Sequence, residues 1–169
     1  MRRFFLLLVL TLSLAGLAAG AEPAKTTVVD YFLKLPAELF EVPPPQLLRF
    51  VKQPTCGVID TANGYMSCIG DGAQPGFVIA LFRRIDGRPL LAVCFDELEG
   101  PDAVDLNFYE PGKDGWLRKI GRKILPVANA EGRSFELPRH GRTIKVKESR
   151  KGAPGQQFTW DGERFVEAR

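Results

Sequence analysis

From Cys56 to the C-terminus, short apolar runs alternate with turn segments that contain glycine. The paired runs are FVIALFRR and LLAVCFDE, VDLNFYE and WLRKI, SFELP and RTIKVKE, and the two halves of FTWDGERFV. Connections of two to five residues are too short for a crossover, so consecutive runs must pair as antiparallel neighbours. The sequence therefore predicts an antiparallel meander of about eight strands over residues 56–169.

Two of these runs indicate how the strands face their surroundings. In RTIKVKE, Ile144 and Val146 alternate with Lys145 and Lys147, which predicts one buried and one exposed face. In LLAVCFDE both faces are apolar, which predicts a central strand that is covered on both sides. The pattern leaves open whether the meander forms a curled sheet, a half-barrel or a sandwich.

Residues 27–53 show a different pattern, which predicts two short helices. Val28, Phe32 and Leu35 have the spacing of one helical stripe, and Pro36 is expected to end that helix. The segment PPPQLLRFVKQP predicts the second helix, because proline is tolerated in a first helical turn. The fold class is therefore α+β and mainly β, with two short N-terminal helices before the meander.

The segment DGWLRKIGRKILP fits two interpretations. Trp116, Ile120 and Ile124 are spaced at i, i+4 and i+8, which is typical of an amphipathic helix. A strand fits the same residues, so this segment stays ambiguous.

The first 21 residues have the features of a secretory signal peptide. Arg2 and Arg3 precede a nearly continuous apolar run, and Ala19-Gly20-Ala21 has the small-x-small form of a cleavage site. The run is shorter than the ~20 residues that a membrane span requires, which disfavours an anchor. We therefore expect residues 22–169 to form a single exported domain, periplasmic or secreted, with no membrane span after cleavage.

The three cysteines limit the redox and metal chemistry of the chain. Their spacings of 12 and 26 residues contain no C-x-x-C motif, and the only histidine is His140, so a structural zinc site and a thioredoxin-like centre are disfavoured. If residues 61–63 form a hairpin tip, Cys56 faces Cys68 across two strands. In an oxidising compartment this register predicts a Cys56–Cys68 disulfide and leaves Cys94 as a protected thiol. We expect no resident metal or cofactor.

Three other segments contain residue types that occur in functional sites. His140 lies in LPRHGRT at a predicted hairpin tip, where an exposed turn residue is a simpler interpretation than a general base. The acidic run FDELEGPDAVD offers oxygen ligands for calcium but lacks the EF-hand pattern. The segment GDGAQPG lacks the G-K-[ST] of a P-loop and precedes a predicted strand. None of the three predicts a catalytic residue.

Positive charge is concentrated in one part of the chain. Residues 118–151 carry 11 basic and 3 acidic residues, whereas residues 22–117 carry 8 and 14. The predicted binding residues are Arg139, Arg142, Lys145 and Lys147, facing an anionic envelope component or another protein. The alternative is a solvated outer face of an edge strand. Nucleic acid is disfavoured as a partner, because no binding motif is present and aromatic residues are sparse among the basic ones.

No motif in the chain is specific enough to indicate a family. The sequence favours a non-catalytic exported β-domain that binds a macromolecular partner. Two alternatives stay open: a hydrolase with dispersed carboxylates or with Cys94 and His140, and a small-molecule carrier if the sheet curls around a cavity.

Overall fold

The computed structural model of the 169-residue chain describes residues 25–70, 75–95, 106–127, 133–148 and 155–168. The predicted signal peptide lies outside the described residues. So does the acidic run considered for calcium, with Asp96, Glu97, Glu99, Asp102 and Asp105. In the described part of the chain, no helix has both the length and the apolar character needed to cross a membrane.

Helix α1, Val28–Phe32, begins with a capping box. The Thr27 hydroxyl accepts a hydrogen bond from the Asp30 amide, and the Asp30 carboxylate accepts one from the Thr27 amide at 2.7 Å. These bonds satisfy amides that have no acceptor within the first helical turn. The bonds that the Asp30 carboxylate accepts from the Thr27 amide and then from the Thr27 hydroxyl lower the pKa of Asp30. The predicted stripe residues Val28, Phe32 and Leu35 are all buried, but the helix ends at Phe32, before Pro36, so Leu35 lies outside it.

Helix α2, Pro44–Val51, follows a single 3₁₀ turn at Ala37–Leu39. Proline fits at the start of α2 because the first amides of a helix have no intrahelical acceptor. Both helices therefore occur where the sequence predicts them. The side of α2 that packs against the sheet consists of Leu47, Leu48 and Val51.

Ten strands follow among the described residues, in two antiparallel sheets. The first sheet has the order β1-β2-β3-β4-β5-β6, with strands Gly57–Asp60, Tyr65–Cys68, Phe77–Arg83, Pro89–Phe95, Leu106–Pro111 and Leu117–Ile120. The second has the order β10-β9-β8-β7, with β7 to β10 at Arg133–Glu136, Thr143–Glu148, Gln156–Trp160 and Phe165–Glu167. A single meander of about eight strands is not confirmed, and neither is curling, because the chain builds two open sheets.

The ambiguous segment after Gly115 forms strand β6 and then a 3₁₀ turn, Arg122–Ile124. Trp116 is 58% exposed whereas Ile124 is buried, so their spacing does not correspond to one helical face. Ile124 and Leu125 pack into the core between the two sheets. This segment therefore carries the chain from the first sheet towards the second.

The six-stranded sheet separates two hydrophobic cores. One face packs against α1 and α2, and the other packs against the four-stranded sheet. Strand β4 is buried along its whole length, which confirms the predicted central strand. Its side chains alternate between the cores: Leu91, Val93 and Phe95 face the helices, and Leu90, Ala92 and Cys94 face the second sheet.

Aromatic side chains fill the core between the sheets. Phe165 lies 5.1 Å from Phe82 and 5.0 Å from Trp160, measured between ring centroids. The Trp160 indole donates a hydrogen bond to the Arg83 carbonyl at 2.8 Å, which satisfies the polar group of a side chain that is only 2% exposed. Each such side chain stabilises the fold by about 1.5–3 kcal/mol on burial.

The hairpin of β1 and β2 has a register one residue away from the predicted one. Gly57 pairs with Cys68, and Asp60 pairs with Tyr65. The loop contains four residues rather than three, because Gly64 adopts a φ of +66° and belongs to the turn. The Asp60 carboxylate accepts a hydrogen bond from the Asn63 amide at 3.2 Å within that loop.

This shift places Cys56 and Cys68 on opposite faces of the hairpin, because side chains alternate along a strand. Cys68 is buried on the helix side, whereas Cys56 is partly exposed and lies opposite Ile69. The predicted Cys56–Cys68 disulfide is therefore wrong: the three cysteines, all within the described residues, form no disulfide. Cys94 is buried, as predicted.

Candidate functional site

The predicted binding residues lie on the second sheet or in the hairpin loop that connects β7 to β8. Along β8, Ile144 and Val146 are buried, whereas Lys145 and Lys147 are exposed on the side away from the first sheet. The predicted alternation is therefore confirmed. We call the exposed side of β7 and β8 the basic face, defined by Lys145 and Lys147.

A single carboxylate on the neighbouring strand binds both lysines of the basic face. The Lys145 Nζ atom lies 2.7 Å from Glu136 Oε1, and the Lys147 Nζ atom lies 3.0 Å from Glu136 Oε2. Hydrogen bonds from Lys145 and then Lys147 lower the pKa of Glu136. Because one acid serves two cations, the cluster keeps a net positive charge.

Arg139 is directed away from the basic face. Its Nε atom donates a hydrogen bond to Asp60 Oδ2 at 2.9 Å, which connects the β7–β8 loop to the tip of the β1–β2 hairpin. The bond from Arg139, followed by the bond from the Asn63 side chain, lowers the pKa of Asp60 to about 2. Of the four predicted binding residues, Arg139 thus has a structural partner on the first sheet.

Arg142 lies directly before β8, opposite the buried Trp160, and so has the opposite side-chain direction to Lys145 and Lys147. Its side chain is exposed and makes no ion pair with any other described residue. Its carbonyl accepts a hydrogen bond from the Trp160 amide at 2.9 Å, so the backbone that carries it is held against β9. Thr143 shares the side of Lys145 and Lys147, and its hydroxyl lies 2.9 Å from that of Thr159. The basic face therefore continues into a pair of neutral hydrogen-bonding groups.

The other basic residues considered from the sequence are more dispersed. Arg118 lies on β6 of the first sheet, where it binds Asp114 at 2.8 Å. Lys119 and Lys123 are exposed, and Arg150 and Lys151 lie outside the described residues. The described residues thus restrict the basic face to the β7–β8 hairpin.

Cys94 and His140 lie in very different environments. The Cys94 thiol is buried between the sheets, and its sulfur lies 3.7 Å from the Phe135 carbonyl oxygen. His140 is exposed in the loop between β7 and β8. Burial in apolar surroundings makes a thiol unreactive, so nothing in this placement supports a nucleophile and base pair. In the described part of the chain, no three His, Cys, Asp or Glu side chains are grouped as metal ligands would be.

Sequence reasoning missed Glu136 as a member of this cluster. Its pairing partner is Lys145, which leaves eight residues, 137–144, between the last paired residues of β7 and β8. The available signal was that Glu136 lies in SFELP, the run that pairs with the lysine-containing run RTIKVKE across the hairpin. Which lysine pairs with Glu136 depends on the length of the connecting loop, which the sequence pattern does not define.

Comparisons with protein-family models, with curated proteins and with solved structures find no match for this chain. Function is therefore inferred from the geometry of the described residues.

Proposed function

We propose that the protein is an exported, non-catalytic β-domain that binds an anionic macromolecule of the cell envelope through its basic face. The observation that carries this proposal is the sharing of Glu136 by Lys145 and Lys147. Two cations on one carboxylate leave a surplus of positive charge on an exposed sheet surface. Such a surplus attracts anions and accelerates their association.

The spacing of the lysines favours a polymer over a small anion. Lys145 and Lys147 are two residues apart on one strand, which separates their Cα atoms by about 7 Å. The Glu136 carboxylate already bridges both ammonium groups, so a single small carboxylate could only replace it, whereas a polymer can place separate charges at the two positions. Thr143 continues the row on the same side of β8, and the Thr143 and Thr159 hydroxyls add hydrogen-bonding groups at its end.

Charge reversal tests the proposal with immobilised heparin as the polyanionic probe. We expect the wild-type protein to be retained at physiological salt, and the double variant K145E/K147E to bind at least about tenfold more weakly, because attraction at two positions becomes repulsion. The matched control is K25E/K52E, which changes the net charge equally at exposed positions on the helix side. Equal loss in both variants would show that only total charge matters and would contradict the proposal.

A second variant changes binding in the opposite direction. E136Q removes the acid that competes for both lysines, so we expect later elution from heparin than for the wild type. A purely structural role of the cluster predicts lower stability and no gain in retention. Unchanged or earlier elution of a folded E136Q protein would therefore count against the basic face as the binding surface.

A further inference from the structure

A second surface lies on the helix side of the first sheet. The first sheet and the core between the two sheets separate it from the basic face, which lies on the second sheet. It is a groove of about 500 Å³ between the chain after α1, the start of α2 and the start of β6. We call it the Trp116 groove, and its apolar walls include Leu33, Pro36, Pro44 and Pro45. Its volume lies within the range of about 300–1,000 Å³ typical of ligand sites.

The walls of the groove are held together by the backbone. The Leu117 amide donates a hydrogen bond to the Lys34 carbonyl at 3.1 Å, which fixes the chain after α1 against the edge of β6. In the same region Leu35 and Leu117 are buried in the core beneath the groove. The groove is therefore formed before any ligand arrives, which reduces the entropy lost on binding.

Trp116 presents a large apolar side chain at this groove. It is 58% exposed, and it is the only exposed aromatic among the large apolar residues exposed in the described ranges. Its backbone is held by two hydrogen bonds: its amide donates to Asp114 Oδ1 at 3.3 Å, and its carbonyl accepts from the Gly112 amide at 2.7 Å. An exposed indole on such a backbone offers a flat apolar platform with only two side-chain torsions to order.

Basic residues line the groove and lie close to Trp116 in the sequence. The lining includes Lys34 and Arg118, and Lys113 and Lys119 flank Trp116 in sequence. Arg118 uses one nitrogen for Asp114, at 2.8 Å, and a guanidinium group has further N–H donors. Glu38 is the acidic residue in the lining. With Lys113 and Lys119, the basic residues of this region outnumber the acids Glu38 and Asp114, which favours an anion.

We propose that the Trp116 groove binds a segment of an acidic polysaccharide, with a sugar ring stacked on Trp116 and its carboxylate near Lys34 and Arg118. A pyranose ring has an apolar C–H face that matches an indole, and its equatorial groups reach the surrounding donors. An extended peptide would instead add to the strand edge, but the Leu117 amide is already bound to Lys34. The proposal concerns a different surface from the basic face and does not rest on it.

The two tryptophans provide a direct measurement of this binding. Trp160 is 2% exposed, so collisional quenching by acrylamide reports on Trp116. We expect a short oligosaccharide of hexuronic acid to protect Trp116 from acrylamide, and to bind at least about tenfold more tightly in calorimetry than the same oligosaccharide with its carboxylates reduced. In the K145E/K147E variant the probe should protect Trp116 from acrylamide as in the wild type, and this local readout separates the result from the test of the basic face.

Variants locate the binding on the groove. W116A should lose at least about tenfold in calorimetric affinity while W116F keeps most of it, because phenylalanine retains a flat ring. The matched control is I85A, which removes an exposed apolar side chain elsewhere, 76% accessible in the wild type. Three results would overturn the proposal: no binding of the uronate, equal binding of the reduced oligosaccharide, or equally tight and Trp116-dependent binding of polyglutamate.

Discussion

Replacing Gly57 with alanine is expected to destabilise the protein by crowding the junction between α2 and the β1–β2 hairpin. A Cβ atom at this position would lie 2.7 Å from the Ser67 carbonyl oxygen and 2.7 Å from the Val51 carbonyl oxygen. It would also lie 2.8 Å from the Val51 Cγ1 atom. Two of these three neighbours belong to the backbone and cannot move aside by a rotamer change.

The magnitude follows from the cost of overpacking. Extra methyl groups in a packed site cost about 1–3 kcal/mol, and the upper part of that range applies where backbone must shift. We therefore expect G57A to lower the free energy of unfolding by about 2–3 kcal/mol. For a domain of this size, that corresponds to a decrease in Tm of about 4–12 °C.

Urea denaturation of G57A followed by circular dichroism measures this loss directly. The matched control is G121A, because nothing lies within 4 Å of a Cβ at Gly121 and its φ is not positive. That control should change the unfolding free energy by less than about 0.5 kcal/mol, or raise it slightly through the unfolded chain. A G57A protein as stable as G121A would refute the close approach of α2 to β1.

Two further predictions concern the first hairpin. The pKa of Asp60 falls from 3.8 to about 2 on folding, so its contribution to stability is present above pH ~4 and is lost as the pH falls towards 2. The difference in unfolding free energy between wild type and D60N, measured in urea titrations, should therefore shrink over that pH range. A constant difference would contradict the Arg139 contact. Alkylation under native conditions should modify Cys56 before Cys68 and Cys94, because only Cys56 is partly exposed. A Cys56–Cys68 cross-link in non-reducing peptide maps would contradict the observed register.

Local signals account for the parts of the fold that the sequence predicted. Helix α1 depends on the Thr27 cap and the stripe through Phe32, which are within a few residues of each other. The hairpins depend on glycine turns between apolar runs. The inclusion of Gly64 in the β1–β2 loop was harder to predict, because the same sequence is compatible with a three-residue and a four-residue loop. That difference of one residue places Cys56 and Cys68 on opposite faces of the hairpin instead of on the same face.

Long-range contacts account for most of what the sequence did not predict. Alternation in RTIKVKE shows that Ile144 is buried, but not whether it packs against the same sheet or another one. Arg139 reaches Asp60 across 79 positions of sequence, so no local pattern indicates that contact. The Trp116 groove depends on the hydrogen bond between Leu117 and Lys34, which joins segments that are also distant in sequence.

The burial of β4 on both faces has a consequence for how the domain unfolds. Loss of the helix-side core would uncover Leu91 and Val93, and loss of the other core would uncover Leu90 and Ala92. Either event would expose apolar surface on the same strand, so the two cores are energetically coupled through one backbone. The amides of β4 can then open only when the whole domain opens, whereas the edge strands can fray locally.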